Sequence, residues 1–422
     1  MRIFLAAALA AGALMFAAPA SAQNDESICG EQMNNYTPQQ LIASCTTLIN
    51  RGGYDNANLA ILYSNRGSGF RRAGDLRSSL ADHNRALQLA PSDGISYFNR
   101  ANTLRDMEDL DGAITDYNLA LRYQAGYRPA YMERAWCYQR RGEHNLAIAD
   151  YTMAIGINAS DGDAYIGRAN SYIDQRQYDP ALADLAQAER LMPNQALPRY
   201  NRGVVYERLG RYPEAIVEYS AAAAFDPRDA DALGNRGNLR VQAGDAAGGV
   251  ADLSAALAIR EGYIDLHNRG HGFVALGDYP HALADFDRAF ALNADTHDYD
   301  NDRCWYRIMT NTELSVARAA CDRGVAGFAD NATERANVLD SRGMLNLREA
   351  RFQDAWNDYN TAAQLVPGSA SYAFGRGVAA QRLGRTDAAR ADFATAMTID
   401  PEVSARYASW GFPVDAALLP RR

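Results

Sequence analysis

Histidine, cysteine and acidic side chains can hold metals, cross-link a chain or move protons, and this sequence groups few of them. His267 and His271 are four residues apart. On a helix that spacing puts both rings on one face, where two imidazoles can ligate a metal. No HExxH frames them, so a third ligand has to come from elsewhere, Asp231 or Asp298. With no motif supplying that ligand, neither a metal nor a cofactor is expected. Gly270 and Gly272 give a short match to a dinucleotide-binding pattern, but no strand precedes them and they fall inside a helical stretch. No GxSxG, phosphate loop or nucleophile–base pair occurs, so the chain reads as non-catalytic.

The five cysteines are Cys29, Cys45, Cys137, Cys304 and Cys321. Cys304 and Cys321 are seventeen apart, a separation that brings two residues together across one helical hairpin. Cys29 and Cys45 flank a turn-like Asn34-Asn35-Tyr36-Thr37-Pro38. Both pairs are expected to form disulfides, with pairs of buried thiols as the alternative. The CxxC spacing of structural zinc sites is absent. Disulfides require an oxidising compartment, and the first residues supply an address for one. Arg2 precedes an apolar and small-residue run, Ile3 to Ala18, that ends in Pro19-Ala20-Ser21-Ala22. This reads as a signal peptide over 1–22, cleaved after Ala22, for a periplasmic or secreted protein. No later stretch is apolar enough to span a bilayer.

Arginine recurs with carboxylates at a fixed distance. Arg66, Arg100, Arg134 and Arg168 are each followed sixteen residues later by Asp82, Asp116, Asp150 and Asp184, and the pattern continues to Arg376 and Asp392. Only Arg303 lacks the partner, with Ala319 in its place. Two residues so spaced in a hairpin sit at similar height on antiparallel helices. The guanidinium fork then meets a carboxylate twice, giving a ladder of buried ion pairs within a repeat or across to the next.

The spacing of these arginines fixes the elements that carry them. Ten arginines, Arg66 through Arg376, each precede a small residue, at steps of 34 except for one 33 and one 39. A sustained 34-residue period is the mark of stacked helical hairpins. In the fifth copy one helical stretch begins at Tyr200, Leu209-Gly210-Arg211-Tyr212 breaks it, and Asp226-Pro227 ends a second stretch begun at Ala215. The 39-residue step predicts a longer loop after the eighth copy.

On these residues the chain resembles the tetratricopeptide repeat (TPR) family, whose pattern places an aromatic, Leu-Gly, Tyr, Ala, an aromatic, Ala and Pro at set offsets. Phe70, Gly74, Ala86 and Pro91 fit it in the first copy, and Gly384, Ala389, Phe393, Ala396 and Pro401 in the tenth. Arginine stands where the family usually has leucine. The resemblance implies an all-α, right-handed α-solenoid of about ten helix-turn-helix repeats over 60–403. An N-terminal cap over 23–59 and a C-terminal cap and tail over 404–422 would close it, with the stretch after Pro413 frayed. It also implies that the position before each arginine faces a concave groove. Asn65, Asn99, Asn201, Asn235 and Asn268 stand there, and a side-chain amide can pair with any peptide group. Phe98, Trp136, Tyr200 and Trp305 are the aromatic groove candidates, with repeat-to-repeat packing as their other use.

The net charge is −9 from 51 acids and 42 cations, all of the latter arginine. Acidity without a basic run excludes nucleic acid as a partner. The expectation is an exported, non-catalytic interaction scaffold whose groove takes a protein or peptide in the cell envelope. A cell-wall glycan binder or envelope-assembly factor is the alternative.

Overall fold

The computed structural model describes residues 20–30, 35–297 and 299–420, with side chains from residue 25 onward. The described residues form 23 α-helices and one 3-10 turn, with no strand. Two compact units divide the chain, Met1–Gly210 and Arg211–Arg422. The expected signal segment falls largely outside the described residues. Among those described, no helix is long and apolar enough to cross a membrane.

The first unit opens with helix Ala20–Cys29 and then helix Pro38–Arg51, and Thr37 and Gln40 fix the start of the second by a reciprocal capping box. Cys45 of this helix is disulfide-bonded to Cys29, with Cα atoms 5.1 Å apart. Four hairpins follow: Asn56–Arg72 with Leu76–Leu89, Gly94–Asp106 with Leu110–Tyr123, Arg128–Arg140 with His144–Ile157, and Gly162–Asp174 with Tyr178–Leu191. Helix Leu197–Arg208 ends the unit.

The second unit runs from Tyr212–Phe225 through five hairpins. These are Ala230–Gln242 with Ala246–Ile259, Tyr263–Ala275 with Tyr279–Leu292, Asp300–Thr310 with Leu314–Gly327, Ala332–Arg348 with Phe352–Leu365, and Ala370–Arg382 with Thr386–Ile399. Val403–Ser409 closes it.

Aspartates start many of these helices. Asp75, Asp109 and Asp245 each accept a backbone N–H three residues on, which satisfies a donor the helix cannot. The turn inside each hairpin needs one residue in the left-handed region. Gly74, Gly142, Gly244, Gly277 and Gly384 fill that place with φ between 74° and 89°. Where glycine is missing, Glu108, Arg176 and Ala350 adopt the same conformation, with φ between 57° and 63°.

The glycine after the arginine has a different use. A Cβ on Gly270 would lie 2.5 Å from Phe286 Cε1, so its absence lets the two helices of that hairpin close. That packing role, inside helix Tyr263–Ala275, removes the dinucleotide pattern from consideration.

Eight arginines close the hairpins as a ladder. Arg66, Arg100, Arg134, Arg168, Arg236, Arg269, Arg342 and Arg376 each donate Nε and Nη2 to both oxygens of the aspartate sixteen residues on, at 2.5 to 3.0 Å. Several spend Nη1 on the hairpin before. Arg100 reaches Asn84 at 2.8 Å, Arg168 reaches Thr152 at 3.0 Å and Arg376 reaches Asn360 at 3.0 Å. One guanidinium therefore ties its own hairpin shut and docks it on its neighbour. The aspartates are buried while the arginines keep one edge in water. Burial pushes the Asp150 carboxyl above its usual range against the opposing pull of the Arg134 fork. Such pairs set register while adding little net stability.

Two expectations need correction. The 39-residue step does not lengthen a loop: four residues separate Gly327 from Ala332, as four separate Leu89 from Gly94. The extra residues extend helix Ala332–Arg348 to 17 residues, and Ala336, Val338 and Leu339 along it are buried. The stretch after Pro413 is not frayed. Leu418 is buried, Val414 and Leu419 pack on the same core, and Arg348 donates to the Trp410 carbonyl at 3.2 Å. An apolar end-surface left by the last hairpin gives those side chains a place to bury. The eighth hairpin closes without its rung, through a disulfide between Cys304 and Cys321 with Cα atoms 5.4 Å apart.

Candidate binding face on the first helices

Within each unit the first helices of successive hairpins touch one another. Asn56–Arg72 meets Gly94–Asp106, which meets Arg128–Arg140, which meets Gly162–Asp174; Asp300–Thr310 meets Ala332–Arg348, which meets Ala370–Arg382. Among the side chains two before and two after the arginines, Trp136 is exposed while Ile166, Met344, Phe374 and Val378 are buried. The position just before the arginine lies at the seam between neighbouring first helices, where Asn99 meets Ser64 and Asn201 meets Asn170.

That seam explains the asparagines. Asn65 is buried and donates to the Cys29 carbonyl at 2.6 Å, which ties the N-terminal segment to the first hairpin. Asn99 donates to Ser64 Oγ at 3.1 Å, and buried Asn201 donates to Asn170 Oδ1 at 2.9 Å. Asn235 donates to the Tyr219 hydroxyl at 3.4 Å. Each of these four amides gives one N–H to its own protein. Asn268 is half-buried.

The aromatic candidates separate in the same way. Phe98 is partly buried and meets Tyr127 edge-on at 5.0 Å between ring centroids. Trp305 meets Trp410 edge-on at 5.4 Å, so the C-terminal cap occupies it. Tyr200 is half-buried. Trp136 is the exception: it is 37% exposed, with Arg105 and Arg140 over its ring at 5.7 and 5.5 Å. Arg105 also pairs with Glu133 and with Asp106.

Cys137, next to that tryptophan in sequence, is free and fully buried, and burial pushes its thiol up to about 12. It is a packing residue.

The histidine pair gains a ligand that sequence reasoning missed. Asp231 pairs with Arg260 instead, and Asp298 lies outside the described residues. The residue that meets both rings is Asp302, on the first helix of the next hairpin. Its Oδ2 is 2.7 Å from His267 Nε2 and 3.2 Å from His271 Nε2, and the two Nε2 atoms are 3.3 Å apart. Burial would raise the Asp302 carboxyl, but hydrogen bonds from His267 and His271 outweigh it and hold it at about 2. The signal was present in the sequence: Asp302 interrupts the asparagine series 35 residues after His267, one repeat on.

The family model of the tetratricopeptide repeat matches residues 98–163, 166–227 and 341–403. Over these residues the chain carries tetratricopeptide repeats, and the described residues outside them continue the same all-helical architecture. Among solved structures, a tetratricopeptide repeat protein from Parabacteroides merdae is 20% identical, with 58% of this chain and 97% of that one covered at a TM-score of 0.48. YrrB, described as a TPR protein with an unusual peptide-binding site, is 20% identical, covering 42% of this chain and 93% of its own at a TM-score of 0.36. MamA from Desulfovibrio magneticus RS-1 is 16% identical, covering 42% and 99% at a TM-score of 0.39. Comparison with curated proteins finds no match.

Proposed function

We propose that this protein is an exported, non-catalytic interaction scaffold whose first-helix face binds a segment of a partner protein in the cell envelope. The observation that carries the reading is Trp136. It is a large aromatic left partly open on that face, held by two arginines, and aromatic–arginine clusters are where binding energy concentrates in protein interfaces. A stack of hairpins presents such a face preformed, so the scaffold loses little conformational freedom when a partner docks.

The signal-like segment over 1–22 supports export. So do the two disulfides, because such bonds persist in oxidising compartments. A glycan-binding face would need both Trp136 and Trp305 open to stack on sugar rings, whereas Trp305 packs edge-on against Trp410.

Crosslinking in the native host tests the proposal. A photoreactive residue at Trp136 is compared with one at Met153, which is exposed on the second helix of the same hairpin. The proposal expects a discrete protein adduct from position 136 and none from 153. Equal labelling from both positions, or no adduct from 136, would overturn it.

A further inference from the structure

We propose that His267, His271 and Asp302 form a binding site for a divalent transition metal, with zinc the best-matched ion. The site lies on the first-helix face of the second unit and stands or falls independently of the partner reading above.

Geometry comes first. Three donor atoms from two helices converge on one point, with separations of 2.7, 3.2 and 3.3 Å. Ligands held at ~2.0–2.1 Å from a tetrahedral ion lie roughly 3.3 Å from each other, so two of the three edges already have the right length. The third is contracted to a hydrogen bond. Both Nε2 atoms lie against one carboxylate oxygen, so an ion bound by all three donors would sit between them.

The surroundings fix the rings. The Phe286 ring lies 5.5 Å from that of His267 and 5.3 Å from that of His271. Tyr299 flanks His267 at 4.8 Å, and Tyr306 stacks on Phe286 at 5.6 Å. Two residues past Asp302, Cys304 is bonded to Cys321, which pins the helix carrying the carboxylate. Histidines and carboxylate are therefore held before any ion arrives.

The repeat pattern supplies an independent argument. Ten hairpins offer ten pairs of positions two before and two after the arginine, and only the seventh fills both with histidine. At the position before the arginine, only Glu133 and Asp302 are acidic. The single histidine pair thus abuts one of the two acids at the seam. Two imidazoles and one carboxylate suit zinc and its neighbours Co(II) and Ni(II), and do not suit calcium or magnesium, which take oxygen ligands. His271 is the more exposed of the two histidines, so the remaining coordination position opens toward solvent, for water or a side chain of a bound protein.

The test is calorimetric titration of chelator-treated full-length protein with Zn(II), together with the visible spectrum of the Co(II) form. One ion per chain is expected, with intense tetrahedral Co(II) bands and a rise in unfolding temperature on binding. Asp302→Asn installs the residue that half the hairpins carry at that place, so this variant should fold. It is expected to lose at least roughly tenfold in affinity, as is His271→Ala. His281→Ala, an exposed histidine outside the cluster, should bind like the parent. No stoichiometric binding, or binding unchanged in both Asp302→Asn and His271→Ala, would overturn the proposal.

Discussion

The second and eighth hairpins solve the same closure problem with different chemistry. In the second, Arg100 forks onto Asp116, buried on the facing helix, and its last nitrogen reaches back to Asn84. In the eighth, Ala319 stands where the aspartate belongs. Arg303 turns back to Asp287 at 2.8 Å, and fully buried Arg307 joins it on the same carboxylate. The tie across that hairpin is the Cys304–Cys321 bond. Each of these two hairpins thus keeps one strong cross-tie, an ion pair in one and a covalent bond in the other. What stays fixed is where it acts, beside the small residue that lets the helices approach.

The largest effect is expected from leaving a rung half-broken. Arg100→Ala strands the buried Asp116 carboxylate and should cost ~3–5 kcal/mol, whereas replacing both residues with apolar ones should recover most of the loss. Denaturant unfolding of the single and double variants checks this. Next comes the eighth hairpin. Cys304→Ser with Cys321→Ser removes a seventeen-residue cross-link and should cost ~2–4 kcal/mol, while reducing agent should then have no further effect on that hairpin.

A third prediction takes another exception. His83 stands in the slot that Tyr117, Phe286 and Phe393 fill elsewhere, and neither of its ring nitrogens meets a hydrogen-bond partner among the described residues. Burial lowers its pKa to about 3. The unfolded chain therefore binds more protons than the folded one from about 6.5 downward. Stability is full above that pH and is lost as pH falls toward 3. His83→Phe should stabilise by ~1 kcal/mol at pH 7.5 and by ~2 kcal/mol more at pH 5, as read by thermal unfolding at the two pH values. The smallest effect is Ala350→Gly. It relieves a left-handed alanine at φ 57° and should add ~1 kcal/mol, again visible as a higher melting temperature.

The fold was legible because its arginines, aspartates and glycines recur at a period that only stacked hairpins produce. The rungs were legible for the same reason, since sixteen residues is a hairpin's own geometry. The binding face was less so. An asparagine before the arginine reads the same whether its amide faces a ligand or the next helix, and only the inclination between neighbouring first helices decides that for Asn99 and Asn201. Trp305 and Trp136 occupy the same place in their repeats, yet the C-terminal cap covers only one of them. The tail after Pro413 lies past the last repeat, where no period guides the reading, yet its Leu418 finds an apolar end-surface.

A double-mutant cycle on Arg100 and Asp116, read by hydrogen exchange across Gly94–Tyr123, bears on the wider architecture, because eight hairpins are closed the same way. A coupling of ~1–3 kcal/mol confined to that hairpin and its neighbours is the predicted result. Additive effects, or protection lost evenly along the chain, would contradict it.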